Sequence, residues 1–197
     1  RGQLRAGVMY VRRRPDLMVI FTMVFLLGTF GFNFGIFTAT MARVEFERGA
    51  AEFGILSSVL AIGSVTGALM SARRERPRLR VVVLATLGFA ASTALAAVMP
   101  TYELFALSLV LIGFTSLTMI TSANAYVQTT TRPAIRGRVM ALYLTIFMGG
   151  TPLGAPLLGF VANEAGPRWA LGVAAFAGLA AAAVAVVWMR GRANLRI

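Results

Sequence analysis

The chain contains no cysteine and no histidine, and its nineteen basic residues are all arginine. Without thiols or imidazoles it has no Cys nucleophile, no imidazole base and none of the common nitrogen or sulfur metal ligands, so most enzyme classes have nothing to build on. Charge is scarce as well. Only 13% of the 197 residues are charged and 58% are hydrophobic, where soluble domains carry about 25% charge. Just 7 acids stand against the arginines, giving a net charge of +12. In a soluble domain such an excess marks a polyanionic partner such as nucleic acid. What it means here depends on where the arginines sit.

Six windows contain no charge at all: residues 17–42, 53–72, 81–102, 104–131, 139–163 and 169–189. A helix rises ~1.5 Å per residue and must cross ~30 Å of hydrocarbon, so about 20 apolar residues suffice, and each window is long enough. Ordinary soluble helices are shorter and keep a polar face. The windows therefore predict an all-α integral membrane fold of six transmembrane helices. Proline mostly punctuates their edges, at Pro15, Pro77, Pro100, Pro133 and Pro167, where its missing N–H costs little. Pro152 and Pro156 fall inside the fifth window, which a membrane helix tolerates when neighbours satisfy the freed carbonyls.

The charges set an orientation. If consecutive segments alternate sides, the side of the N-terminus receives sixteen arginines against Asp16 and Glu75, a net +14. The other side receives Arg43, Arg48 and Arg168 against five glutamates, a net −2. Basic loops are retained in the cytoplasm, so both ends of the chain are expected inside an inner (plasma) membrane. The arginines are divided among short segments at the membrane boundary, which fits attraction to anionic lipid and argues against nucleic acid as a partner.

The expected organisation is a cytoplasmic amphipathic lead-in over 1–16, a six-helix bundle over 17–189 and a cytoplasmic tail over 190–197. Leu4, Val8 and Val11 share one face of the lead-in, as in a helix lying on the membrane surface. The sequence begins on Arg1 and its first residues hold no signal-peptide core, so the expectation is a piece of a longer protein.

Small residues recur at helical spacing in two windows. Gly63 and Gly67 lie four apart in the second, and Gly150, Gly154 and Gly159 follow Gly149 in the fifth. Such stripes let helix backbones approach closely. Close packing accounts for them, and so do contacts that slide in a moving machine. The fourth window is the most polar: Thr115, Thr118, Thr121, Ser122, Asn124, Gln128 and Thr129 share about half its circumference. Two readings stand for this stripe, hydrogen bonding between helices and the lining of a translocation cavity. In the first window Asn33 lies among Phe30, Phe32, Phe34 and Phe37. An amide amid apolar rings suits a pocket for an amphipathic molecule, while the rings alone would equally face lipid.

The stretch Arg136, Gly137, Arg138, Val139, Met140, Ala141, Leu142, Tyr143, then Gly149, Gly150, Pro152, Leu153, Gly154 and Gly159, ending at Gly166, resembles the eleventh span of major facilitator superfamily transporters of the enterobactin-exporter-like, drug:proton antiporter type. Gly2, Leu4, Arg5, Gly7, Tyr10, Val11, Arg12, Arg13, Pro15 and Leu17 resemble the approach to the seventh span. So does the run from Gly54 through Gly63 and Gly67 into the arginine-rich loop. One departure stands out. The superfamily's Asp-Arg-x-Gly-Arg-Arg loop has its looser echo here as Arg73, Arg74, Glu75, Arg76, Pro77, Arg78, without the Asp or the Gly.

The resemblance implies spans seven to twelve of a twelve-span transporter, two inverted three-helix repeats, and an N-terminal six-helix half as partner. It also implies that both asparagines lie near a central cavity. The function expected is export of a small amphipathic, siderophore-like or drug-like compound by alternating access, coupled to protons. Asn33, Phe37, Thr118, Thr121, Ser122, Asn124 and Gln128 are the cavity candidates. Gly63, Gly67, Gly150, Pro152, Gly154 and Gly159 are the packing and conformational candidates, and Arg73, Arg74, Arg136 and Arg138 the cytoplasmic loop. No catalytic residue, cofactor or metal is expected. No acid falls within the six windows, so a coupling carboxylate is expected in the other half. The alternatives are a stand-alone six-helix scaffold and a homodimeric small transporter. A membrane-embedded enzyme would need clustered catalytic groups at membrane depth, which the windows lack.

Overall fold

A computed structural model of the chain describes residues 2–73 and 78–193. Nine α-helices make up the described residues: α1 (Gly2–Arg12), α2 (Pro15–Leu26), α3 (Phe34–Thr40), α4 (Ala50–Ala72), α5 (Leu79–Ala97), α6 (Tyr102–Thr130), α7 (Pro133–Gly149), α8 (Thr151–Glu164) and α9 (Pro167–Ala193). Among them six segments are long and apolar enough to cross a membrane: Pro15–Glu45, Ala50–Ala72, Leu79–Ala97, Tyr102–Thr130, Pro133–Glu164 and Pro167–Gly191. Arg74 of the arginine-rich loop and residues 194–197 of the tail lie outside the described residues.

The spans differ from the charge-free windows at their ends, because a helix can take charge into its first or last turn. The first span begins at Pro15, which suits the opening position of a helix, and so brings Asp16 inside, where an acid complements the helix dipole. At the other end of the chain α9 runs past the window to Ala193.

Two spans are interrupted. The first widens into a π turn over Leu27–Gly31, loses helical geometry at Phe32 and Asn33, and restarts as α3 before a second π turn at Met41–Glu45. Gly28 and Gly31 lie in the π turn just before the break, and glycine weakens a helix interior. The fifth span is interrupted at Gly150 between α7 and α8. Pro152 accounts for this, since its ring excludes the normal bond to the carbonyl four residues earlier. The turn into α9 uses Gly166 at φ +100, a left-handed conformation that other residues rarely adopt.

The packing pairs the two halves of the chain. The fourth span packs most heavily on the second and third, while the first span packs on the fifth and sixth. The third and sixth spans pack on each other. Exchanging spans one to three for four to six turns second–fourth into fifth–first and third–fourth into sixth–first, and leaves third–sixth unchanged. Three spans per unit reverses direction across the membrane, so this is the contact pattern of a 3+3 inverted repeat. α1 lies against α7 and buries Val11, while Val8 stays exposed.

Candidate functional site

Glycine marks both repeat-crossing seams. A Cβ at Gly63 or Gly67 would overlap the carbonyls of Val110 or Phe114 on α6, and one at Gly113 would overlap that of Leu60 on α4. The second seam repeats this arrangement. A Cβ at Gly150 or Gly154 would overlap Thr29 of the first span, and one at Gly28 the carbonyl of Phe147. In lipid such backbone approach replaces the hydrophobic drive available in water. Gly159 differs: it faces open space, as do Gly149 and Gly54, and Pro152 is exposed.

Asn33 is 6% exposed and sits at the break in the first span. Its Nδ2 donates to the Thr29 carbonyl at 2.8 Å, the group against which Gly154 packs. Thr151 of α8 donates through its hydroxyl to the neighbouring Gly28 carbonyl at 3.2 Å. Two carbonyls at the break thus find side-chain donors. The ring of Phe32 meets those of Phe89 at 5.4 Å and Phe147 at 5.9 Å, and Phe37 is buried. These rings form packed interior.

The polar stripe of the fourth span divides along its length. Thr118 is buried against α4, with its hydroxyl 3.5 Å from the Gly67 carbonyl, and Ser122 shares a 3.0 Å hydrogen bond with Ser71. Thr115 reaches Ser92 of α5 at 3.4 Å. These residues join helices. Thr121 bonds back to the Leu117 carbonyl at 2.6 Å, and Gln128 Nε2 donates to Asn124 Oδ1. Thr121 and Asn124 are half-buried and Gln128 is exposed, and these bonds stay within α6. Asn33 and Asn124 each bond within their own span, and the structure does not join them.

A trough of about 440 Å³ opens between α1, α2 and α7. Val8, Met18, Phe25, Leu142 and Ile146 line it, and Arg12 joins them. A smaller cavity of about 230 Å³ lies between α5 and α6, beside Leu84, Phe114, Thr115 and Thr118. Of the loop arginines, Arg73 and Arg136 are exposed and Arg138 is half-buried, next to Gly7 of α1.

The sequence reading missed the polar clusters at the two ends of the first span. Arg14 forks the Asp16 carboxylate, with Nε to Oδ1 at 3.0 Å and Nη2 to Oδ2 at 2.7 Å. Tyr126 of α6 donates to the same carboxylate at 3.2 Å. The bond to Asp16 holds the Arg14 guanidinium further above its ordinary pKa, and its charge is permanent. At the opposite end Arg168 bonds Glu45 at 2.7 Å and the Ala97 carbonyl at 2.8 Å, and the Arg48 guanidinium lies over the Tyr102 ring at 5.8 Å. A usable signal was present: Asp16 follows three arginines and Pro15 at a helix start.

Six apolar spans joined by glycine seams define a multi-pass α-helical membrane protein with the contact pattern of an inverted repeat. The chain belongs to the transmembrane secretion effector family, MFS_3, whose family model matches residues 1–194, and this is a transporter family. It is similar to the enterobactin exporter EntS of Shigella boydii serotype 18 (strain CDC 3083-94 / BS512), 33% identical over 118 residues, and to that of Escherichia coli O81 (strain ED1a), 32% identical over 118 residues. Each match covers 58% of this chain and 28% of the relative, so the chain spans well under two thirds of the relatives' length. No solved structure matches it.

Proposed function

We propose that this chain is the C-terminal six-span half of an exporter that moves a small amphipathic, siderophore-like or drug-like compound by alternating access against an N-terminal six-span half. One observation carries the reading. In the second and fifth spans, which exchange under the repeat, only 17% of the central apolar stretch is buried, against 44–61% in the other four. Both show broad uncovered faces, through Ser58, Ile62 and Thr66 on α4 and through Thr145, Pro152 and Pro156 across α7 and α8. Outward-facing Gly54, Gly149 and Gly159 leave room there for a second backbone. A complementary half rocking on these faces would use that room.

The half-buried Thr121 and Asn124, the exposed Gln128 and the arginine-edged apolar trough suit a ligand with apolar bulk and a few polar groups. The relatives' export of enterobactin favours the outward direction. The arginine asymmetry supports an inner-membrane location with both ends of this chain cytoplasmic. Proton coupling is part of the proposal, with the coupling acid in the other half.

The test is efflux. Cells or inverted vesicles carrying the whole protein should clear a fluorescent amphipathic compound or a catecholate siderophore faster than those without it, and a protonophore should abolish the difference. Equal clearance across a broad panel of such compounds would overturn the reading.

A further inference from the structure

Two arginine-centred clusters join the first three spans to the last three, one at each end of the first span. At the arginine-rich end, the Asp16 carboxylate accepts from Arg14 Nε, Arg14 Nη2 and the Tyr126 hydroxyl. Arg14 Nη1 also reaches the Thr130 carbonyl at 3.3 Å and the Tyr10 oxygen at 3.2 Å. The entry of the first span, the exit of the fourth and the lead-in helix therefore meet on one ion pair. The Asp16 side chain is 9% exposed. A carboxylate so far from water needs its donors, and replacing such an ion pair whole by apolar residues often costs no stability. Such a group is explained better by a positional role than by stability.

The geometry also shows how the joint can part. When Tyr126 leaves, Asp16 keeps both arginine donors, so no charge is orphaned. Arg14 is 34% exposed, and water can replace Thr130. α2 and α6 touch little elsewhere. The first span is already interrupted at Phe32 and Asn33, while its far end is held by Arg168 through Glu45. The break thus separates its entry half, α2, from α3, and α2 otherwise packs on α7 and α9.

We propose that Asp16, Arg14 and Tyr126 form a latch between the two three-span repeats at the arginine-rich end, and that opening it is a step of the transport cycle. Tyr126 and Asp16 are positioning residues in this scheme. The place in the cycle rests on the exporter reading; the latch itself does not.

The chain has no cysteine, so spin labels can be placed cleanly at the exposed positions Met18→Cys on α2 and Thr129→Cys on α6. Cysteines outside this chain are replaced first in the whole protein. Pulsed electron resonance should give one narrow distance distribution. Tyr126→Phe and Asp16→Asn should each enlarge a longer-distance population roughly tenfold, as expected from losing a hydrogen bond to a charged group, and both should change the efflux rate. Glu45→Gln at the far end should leave this distance as it was. If Asp16→Asn does not fold, Tyr126→Phe, which removes a single oxygen, carries the test. Unchanged distances in Tyr126→Phe overturn the latch, and changed distances with unchanged efflux overturn its place in the cycle. A protein that exports nothing sinks the exporter reading while the distance measurement still decides the latch.

Discussion

Asparagine in an apolar run reads from sequence as a substrate-binding group, because an unpaired amide in hydrocarbon costs several kcal/mol. Asn33 has a different explanation: its amide caps the Thr29 carbonyl where the helix breaks. Asn124 keeps the sequence reading open, since its partner Gln128 is exposed and both lie outside the helix seams. The two residues should therefore separate by measurement. Asn33→Ala should lower stability by about 1–2 kcal/mol, seen as a reduced Tm in detergent. Asn124→Ala should leave Tm within experimental error and lower efflux several-fold. If Asn124→Ala destabilises as much as Asn33→Ala, its role is packing. The polar stripe was legible as a stripe. Its division into helix glue and free groups was not, because the periodicity of one helix says nothing about how far its neighbour extends along it.

At the level of helices, the glycines were visible in the sequence, and their opposite numbers were less so. Gly28 and Gly113 complete the two seams; Gly28 stands in line with Gly31 and Gly35, whereas Gly113 is the lone glycine of its window. The interruption of the fifth span follows from Pro152. That of the first has no proline, and its sequence signal is the weaker run of Gly28, Gly31, Asn33 and Gly35. The seams predict sharp position dependence. Gly154→Val places a side chain in the Thr29 backbone and should abolish monodisperse protein on size exclusion. Gly63→Val should do the same against Val110. Gly159→Val meets open space within this chain, so it should leave the bundle folded and reduce efflux only if a partner helix lies there. A folded, active Gly154→Val protein would mean that the two halves of the chain do not pack as described.

For the molecule as a whole, composition and charge placement were enough to reach the fold class, because six apolar windows and one-sided arginines are properties of the chain read end to end. The latch escaped that reading since Asp16 lies one residue outside a window defined by the absence of charge, and its partner Tyr126 is 110 residues away. What covers the second and fifth spans belongs to this scale too. Two arrangements would fill their outer faces: a second six-span unit on the same polypeptide, or another copy of this chain meeting it about a two-fold axis. Cysteines introduced at Ser58 and at Phe160, both outward-facing, distinguish them. In the whole protein, oxidation of either single-cysteine variant should leave the mass on a denaturing gel unchanged, since each cysteine faces a different sequence across the interface. Pairing it with a cysteine in the other six-span unit should give a bond within one chain. Efficient doubling of the mass by a single cysteine, in membranes and at low expression, would instead place a second copy on that face and make the homodimeric transporter the working unit.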